Sequence, residues 1–214
     1  MILADKLLAY YISKGYTYST APFTFNICYL EGSNEDGTAN ADKPDGWNDR
    51  RIIFTVLDGI CKIVMNVAAT TEPGVKATFD PAAAKRGGVA RIAFGQYAAW
   101  RMGFHKGRAN HPALLQVASL PVHRDFNKDG KRTGDKVETG MFGINQHGTR
   151  PAKVIGGVGN WSEGCLVGQY WPNHLKFIET LKQDARYQAD NGFIFSTAII
   201  NGDAFATFNA FGEK

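Results

Sequence analysis

The stretch RRIIFTVLDGICKIVMNVAATTEPG (50–74) sets the fold class. It is dominated by Ile, Val, Phe and Thr, residue types that suit a half-buried pleated surface. Asp58-Gly59 interrupts it and Glu72-Pro73-Gly74 ends it, so it reads as β-rich runs bounded by turn residues. FTFNICYLEG upstream has the same texture, as do GGVARIAFGQYAAWRMGF and ALLQVASLPVHR downstream. Helical spacing is confined to the two ends. Leu3, Leu7, Leu8, Tyr11 and Ile12 form an apolar stripe that Gly15 stops, which predicts a short amphipathic helix over 3–14. After Trp171, NHLKFIETLKQDARYQAD repeats that spacing through Leu175, Ile178, Leu181 and Ala185, with Pro172-Asn173 as cap chemistry. FIFSTAII then supplies a last strand that ends at Asn201-Gly202. The expectation is an α+β chain: a single mostly β domain over 1–214, with mixed or antiparallel sheets. Its parts are an N-terminal helix (1–15), a β-rich catalytic body (16–170), and a helix with the final strand (171–214). The polar loop 31–50 is long, a feature of functional or mobile segments.

Composition narrows the function. The chain has 214 residues, 44% hydrophobic and 21% charged, which excludes disordered and fibrous classes. Three cysteines exclude a disulfide framework and leave at least one thiol unpaired. Cys28 lies inside FNICYL and Cys61 opens CKIVMNV, both as small buried apolar residues would. The net charge of +4 is uneven: residues 101–153 hold ten Lys/Arg against four Asp/Glu. Such a strip suits either an anionic partner or a solvated face. No apolar run reaches the length of a membrane span. Asp5 and Lys6 break the N-terminal apolar run, so no signal peptide is expected. A protein made in a cytoplasm on those terms needs another route to act outside it.

The chemistry concentrates in TGMFGINQHGTRPAKVIGGVGNWSEGCLVG (139–168). It reads as a strand-like MFGIN, then His147-Gly148, a Gly-rich stretch, and Ser162-Glu163-Gly164-Cys165. A thiol needs a base to react at neutral pH, and an imidazole can be that base. A glycine just before the nucleophile permits a tight turn that exposes sulfur and aims N–H groups at a developing oxyanion. The competing reading is a buried cysteine with an unrelated histidine upstream.

The pattern His147, fourteen residues, Ser162, Glu163, Gly164, Cys165 resembles the motif of the L,D-transpeptidase (YkuD-type) family. Two positions depart from it: Glu163 stands where that family has His, and Val167 where it has Asn or Arg. The chain is also similar to a group of phage and prophage-associated bacterial proteins. The shared segments are FTFNI (23–27), ATTEPG (69–74), GQY (95–97), RDFNKD (124–129), TGMFGINQH (139–147) and WSEGC (161–165). The resemblance implies a transpeptidase-like fold acting on bacterial peptidoglycan stem peptides or cross-links, as a phage endolysin or tail-associated lysin. It implies Cys165 as nucleophile, His147 as base, the Gly148 carbonyl as the group that holds the imidazole tautomer, and N–H groups near Gly164 and Cys165 at the oxyanion. Ser162 would brace the turn. The two departures tip the expected reaction towards hydrolysis, and no cofactor is required. Other phage virion proteins are implied partners.

Other readings compete. Asp125, Asn127, Asp129 and Gly130 have the opening spacing of a calcium loop, but Lys136 occupies the twelfth position. Either a structural Ca2+ or a polar turn with Asx hydrogen bonds fits. His105, His111, His123 and His174 are scattered without zinc spacing, although His123 could reach the site. Trp100, Trp161, Trp171, Tyr97 and Tyr170 suit either a groove or a core. A nucleic-acid surface is the competitor of a different class, disfavoured by a pI near 8.9 and the lack of a reading motif. An inactive wall-docking or tail structural protein is the third.

Overall fold

Asp58 and Gly59 both hold positive φ (50° and 75°), the backbone that a two-residue hairpin turn demands. They join β2 (Asp49–Leu57) to β3 (Ile60–Thr70), the hairpin at the heart of a computed structural model that describes residues 1–132, 134–150 and 156–209. The other strands are β1 (Asn26–Glu31), β4 (Val89–Ile92), β5 (Gly95–Phe104), β6 (Pro112–Gln116), β7 (Leu120–Asp125), β8 (Lys136–Gly140), β9 (Gln146–Gly148), β10 (Leu166–Gly168) and β11 (Ile194–Asn201). Eight of them close into a barrel in the order β1-β11-β5-β6-β9-β10-β3-β2, and β4-β7-β8 form a separate antiparallel sheet. Within the barrel β1 runs parallel to β11 and β9 parallel to β10; the remaining pairs are antiparallel. The mixed, mostly β architecture is as expected, while closure into a barrel had no signal in local pattern.

Strand alternation divides the apolar residues into two cores. Ile27 and Tyr29 of β1 join Ile53, Met65, Trp100, Leu114, Leu166, Phe195 and Ile199. Cys28 and Leu30 face the other way, with Ile52, Phe54, Ala198 and Ile200, under α1 (Leu3–Ser13) and α6 (Gly202–Thr207). Leu7, Tyr10 and Tyr11 of α1 and Phe205 of α6 are buried there. The predicted N-terminal helix is therefore present; of its stripe Leu7 and Tyr11 are buried on this face, while Ile12 is exposed. Cys28 and Cys61 are both buried, as expected of small apolar residues.

The C-terminal helix is two helices rather than one. α4 (Trp171–Lys182) ends at Gln183, and Asp184 restarts the chain as α5 (Ala185–Ala189). The Asp184 carboxylate accepts from Arg186 N–H at 2.9 Å and from Phe25 N–H at 2.8 Å, so it caps α5 and anchors it to the barrel. β11 is no appendage, because it lies between β1 and β5. Two short helices, α2 (Val75–Thr78) and α3 (Pro81–Lys85), follow ATTEPG and were not anticipated.

MFGIN (141–145) is not a strand, contrary to its texture. The Gln116 side chain replaces the missing ladder: its Oε1 accepts from Phe142 N–H (3.0 Å) and Ile144 N–H (2.9 Å), and its Nε2 donates to Gly140 O (2.9 Å). The polar loop 31–50 is tied in rather than loose. Asp45 Oδ1 accepts from Val75 N–H (2.9 Å) and Gly159 N–H (2.6 Å), joining it to both flanking segments. Among the described residues no helix is long and apolar enough to cross a membrane.

Candidate active site

β9 and β10 pair with Gln146 opposite Leu166 and His147 opposite Val167. Gln146 and Leu166 share one face: the Gln146 amide donates to Thr197 Oγ1 at 2.8 Å, and Leu166 belongs to the first core. His147 and Val167 take the opposite face, and Cys165 immediately precedes β10. His147, Gly164 and Cys165 line one cavity of about 510 Å3, together with His105, Lys106, Asn145 and Trp161.

The Ser162–Cys165 turn is held by its own side chain and by two neighbouring segments. Ser162, fully buried, donates its hydroxyl to Cys165 O (2.8 Å) and accepts from Gly164 N–H (3.1 Å). Gly164 holds φ +134°, and a Cβ there would stand 2.4 Å from Ala90 O. Ala90 N–H donates to Glu163 O (3.3 Å) and Gly74 N–H to Ser162 O (3.0 Å), so β4 and the ATTEPG segment both grip the turn. One expectation needs correcting. Gly164 N–H is already bonded to Ser162 and is not a ready oxyanion donor.

Cys165 Sγ lies 3.6 Å from Gly143 O. Burial pushes the thiol up to about 11, against the opposing pull of the Asn145 backbone N–H and the Lys106 charge. His147 is buried and held far below the usual imidazole range, chiefly by burial and then by His105. Both shifts favour the uncharged forms, a thiol and an imidazole. His147 Nδ1 is 3.1 Å from Gly148 O. A carbonyl only accepts, so Nδ1 carries the proton and Nε2 keeps its lone pair. His111 Nε2 also reaches the Gly148 carbonyl at 3.0 Å. Glycine is required at 148, since a Cβ would meet His174 Cγ at 2.5 Å.

Arg51, on β2, braces both strands. Its buried guanidinium donates to His147 O (2.9 Å) and Leu166 O (3.1 Å), and to His174 Nδ1 (3.0 Å). That contact makes His174 Nδ1 the acceptor, and His174 Nε2–H completes the chain by donating to Pro112 O at 2.8 Å. Arg51 sits in the run read only as a strand, so nothing local marked it.

The histidines read as scattered are brought together. The His105 ring stacks on His147 with centroids 4.0 Å apart, and His111 lies 5.1 Å from His105 and 6.4 Å from His174. His123 is not among the cavity residues; it belongs to β7, opposite Arg91 of β4. Of the aromatics, Trp161 lines the cavity, Trp171 packs on His111 at 5.2 Å, and Trp100 is core, its indole N–H on Ile144 O. Three cations of the rim, Arg86, Lys106 and Arg124, line the cavity. Arg86 pairs with Glu163 (2.7 Å) and Arg124 with Glu138 (3.0 Å). Lys106 has no ion pair among the described residues and is exposed at positive φ. Residues 151–155 of the 139–168 segment, Lys153 of the basic strip among them, lie outside the described residues.

Asp125, Asn127 and Asp129 form a nest of Asx turns. Asp125 accepts from Asp129 and Gly130 N–H (both 3.1 Å), Asn127 Oδ1 from Asp129 N–H (3.2 Å), and Asp129 from Lys131 N–H (2.8 Å). Elsewhere Glu31, Asp42 and Glu72 bring carboxylate oxygens within 4.8 Å of one another. Glu31 and Glu72 are already paired with Arg132 and Arg91, so arginines hold the positions nearest these oxygens. Comparison with family models, with curated proteins and with solved structures finds no match to this chain.

Proposed function

We propose that this protein is a cysteine acyl-transfer enzyme that cleaves peptidoglycan stem peptides or their cross-links. One observation carries the reading. The His147 tautomer is fixed by Gly148 O, which leaves an unprotonated Nε2 on a ring that lines the same cavity as the Cys165 thiol. A neutral pair suits a mechanism in which the proton moves only as the bond forms. Sulfur attacks the amide carbonyl while its proton passes to His147 Nε2, and that proton then leaves with the amine. Water, activated by the same imidazole, releases the acyl group. The buried His147 stays neutral between turnovers, so it is ready as a base without a change of pH.

The choice of substrate rests on the motif resemblance and on the cationic rim, which suits the carboxylates of a stem peptide. The test is digestion of purified sacculi by wild type and Cys165→Ala, with released fragments identified by mass. Cleaved stem peptides with wild type and none with the variant support the reading. Fragments released equally by both would overturn it, and new cross-links would redirect it to an amine acceptor.

A further inference from the structure

The site lacks a second oxyanion donor where the turn should supply one, because Gly164 N–H is committed to Ser162. The geometry points to His105 as that donor, a catalytic residue whose Nε2–H binds the carbonyl oxygen as Cys165 attacks. The inference rests on the acyl-transfer reading and extends it to a residue outside the 139–168 segment.

A chain of hydrogen bonds fixes which His105 nitrogen carries the proton. Gln116 N–H donates to Asn145 Oδ1 at 2.9 Å, and a backbone N–H can only donate. The Asn145 amide therefore presents its NH2 to His105 Nδ1, 3.2 Å away. That makes Nδ1 an acceptor and puts the ring proton on Nε2, away from Asn145. Burial, with His111 second, lowers His105 to about 4, so this neutral tautomer persists at neutral pH. His105 is half-buried and lines the same cavity as the thiol.

Asn145 also ties the donor to the sulfur. Its side chain holds His105, and its backbone N–H faces Cys165. A single residue thus sets both the nucleophile and the group that meets the oxygen. Stacking of His105 on His147 at 4.0 Å fixes the second ring in relation to the base. In the step itself the S–C bond forms, the thiol proton goes to His147, and the carbonyl π pair moves to oxygen. His105 Nε2–H and the Cys165 N–H donate to that oxygen. Collapse restores the carbonyl and expels the amine with the proton from His147.

The experiment separates acylation from alkylation at one thiol. p-Nitrophenyl acetate acylates Cys165 through a tetrahedral oxyanion; iodoacetamide alkylates it by direct displacement, with no oxyanion. His105→Phe keeps a ring against His147 but removes the donor, and His105→Gln returns an N–H. The expected result is that His105→Phe slows acylation by about 100-fold, as loss of one oxyanion donor does elsewhere, with alkylation unchanged. His105→Gln should recover part of the loss. Equal slowing of both reactions would make His105 a structural residue, and no slowing of either would also overturn the inference. If wild type is not acylated at all, the acyl-transfer reading fails first. Acylation without release of wall peptides would instead refute only the choice of substrate.

Discussion

Among the described residues, two buried polar clusters solve the cost of burial in different ways. Around His147 the rings are neutral: burial lowers His147, His174 and His105, and carbonyl or amide partners fix their tautomers. Around Glu31 two buried ion pairs carry charge, while Asp49, bonded to Thr71, is pushed well up by burial and by Glu31. Arg132 donates to both Glu31 oxygens, one at 2.6 Å, and Arg91 pairs with Glu72. Burial pushes Glu31 up, but Arg132 and Thr71 outweigh it and hold the carboxyl low. Glu72, with burial and Glu31 against it, is pushed up to about 7 despite Arg91. Strongly shifted acidity therefore occurs at both places and does not by itself mark chemistry. What distinguishes the first cluster is a thiol and an imidazole with a free nitrogen lone pair that line one cavity.

The sharpest way to break that comparison is to remove charge from the second cluster. Arg91→Met leaves Glu72 and Asp125 without their buried cation. The expected loss is about 3–5 kcal/mol of stability at pH 8, measured by the urea midpoint. The sign of its pH dependence follows from Glu72. A carboxyl raised to about 7, and higher still without Arg91, binds its proton as pH falls, so the deficit at pH 5 should be smaller. Thiol alkylation of the folded fraction should not change. A variant as stable as wild type would show that Arg91 does not balance these acids.

The first cluster was only partly legible in sequence. Cys165, His147, Gly148 and Ser162 share one short segment, and a tight turn beside a strand is local information. Arg51, His105 and Asn145 were not legible as members of the site. Arg51 is a cation inside an apolar strand run, and only the non-local pairing of β3 with β10 brings β2 near β9 and β10. His105 reaches His147 because β6 pairs with both β5 and β9, a non-local register that periodicity cannot supply. The MFGIN misreading has the same origin, since a single Gln116 side chain from β6 occupies the donors that a partner strand would have taken.

A smaller effect tests whether the nucleophile turn is held by one hydroxyl. Ser162→Ala strands a buried N–H and a partly buried carbonyl, at a cost of about 1–3 kcal/mol. It should also slow acylation by p-nitrophenyl acetate, because the sulfur loses its fixed position relative to His147. Ser162→Thr, which keeps the hydroxyl, should recover more rate than Ser162→Cys. Stability and rate both unchanged in Ser162→Ala would mean that Ala90 and Gly74 alone hold the turn.

The smallest expected effect concerns Lys106, the rim cation without an ion pair among the described residues. The Lys106 charge lowers the Cys165 thiol, against the burial that raises it to about 11. A positive charge stabilises thiolate, so Lys106→Met must move the thiol higher and reduce the thiolate present at any pH below that value. At pH 8 and low salt, iodoacetamide should react about two- to fivefold more slowly with Cys165 in the variant, the range for an exposed charge. The difference should shrink in 1 M salt, where exposed charges are screened within about 3 Å. Rates should rise with pH in both proteins up to pH 10, without the plateau near neutrality that a thiolate–imidazolium pair would give. A plateau below pH 7 would show that the resting centre is an ion pair after all. Lys106→Met at the wild-type rate would instead leave the pair neutral and take Lys106 out of the field that acts on sulfur.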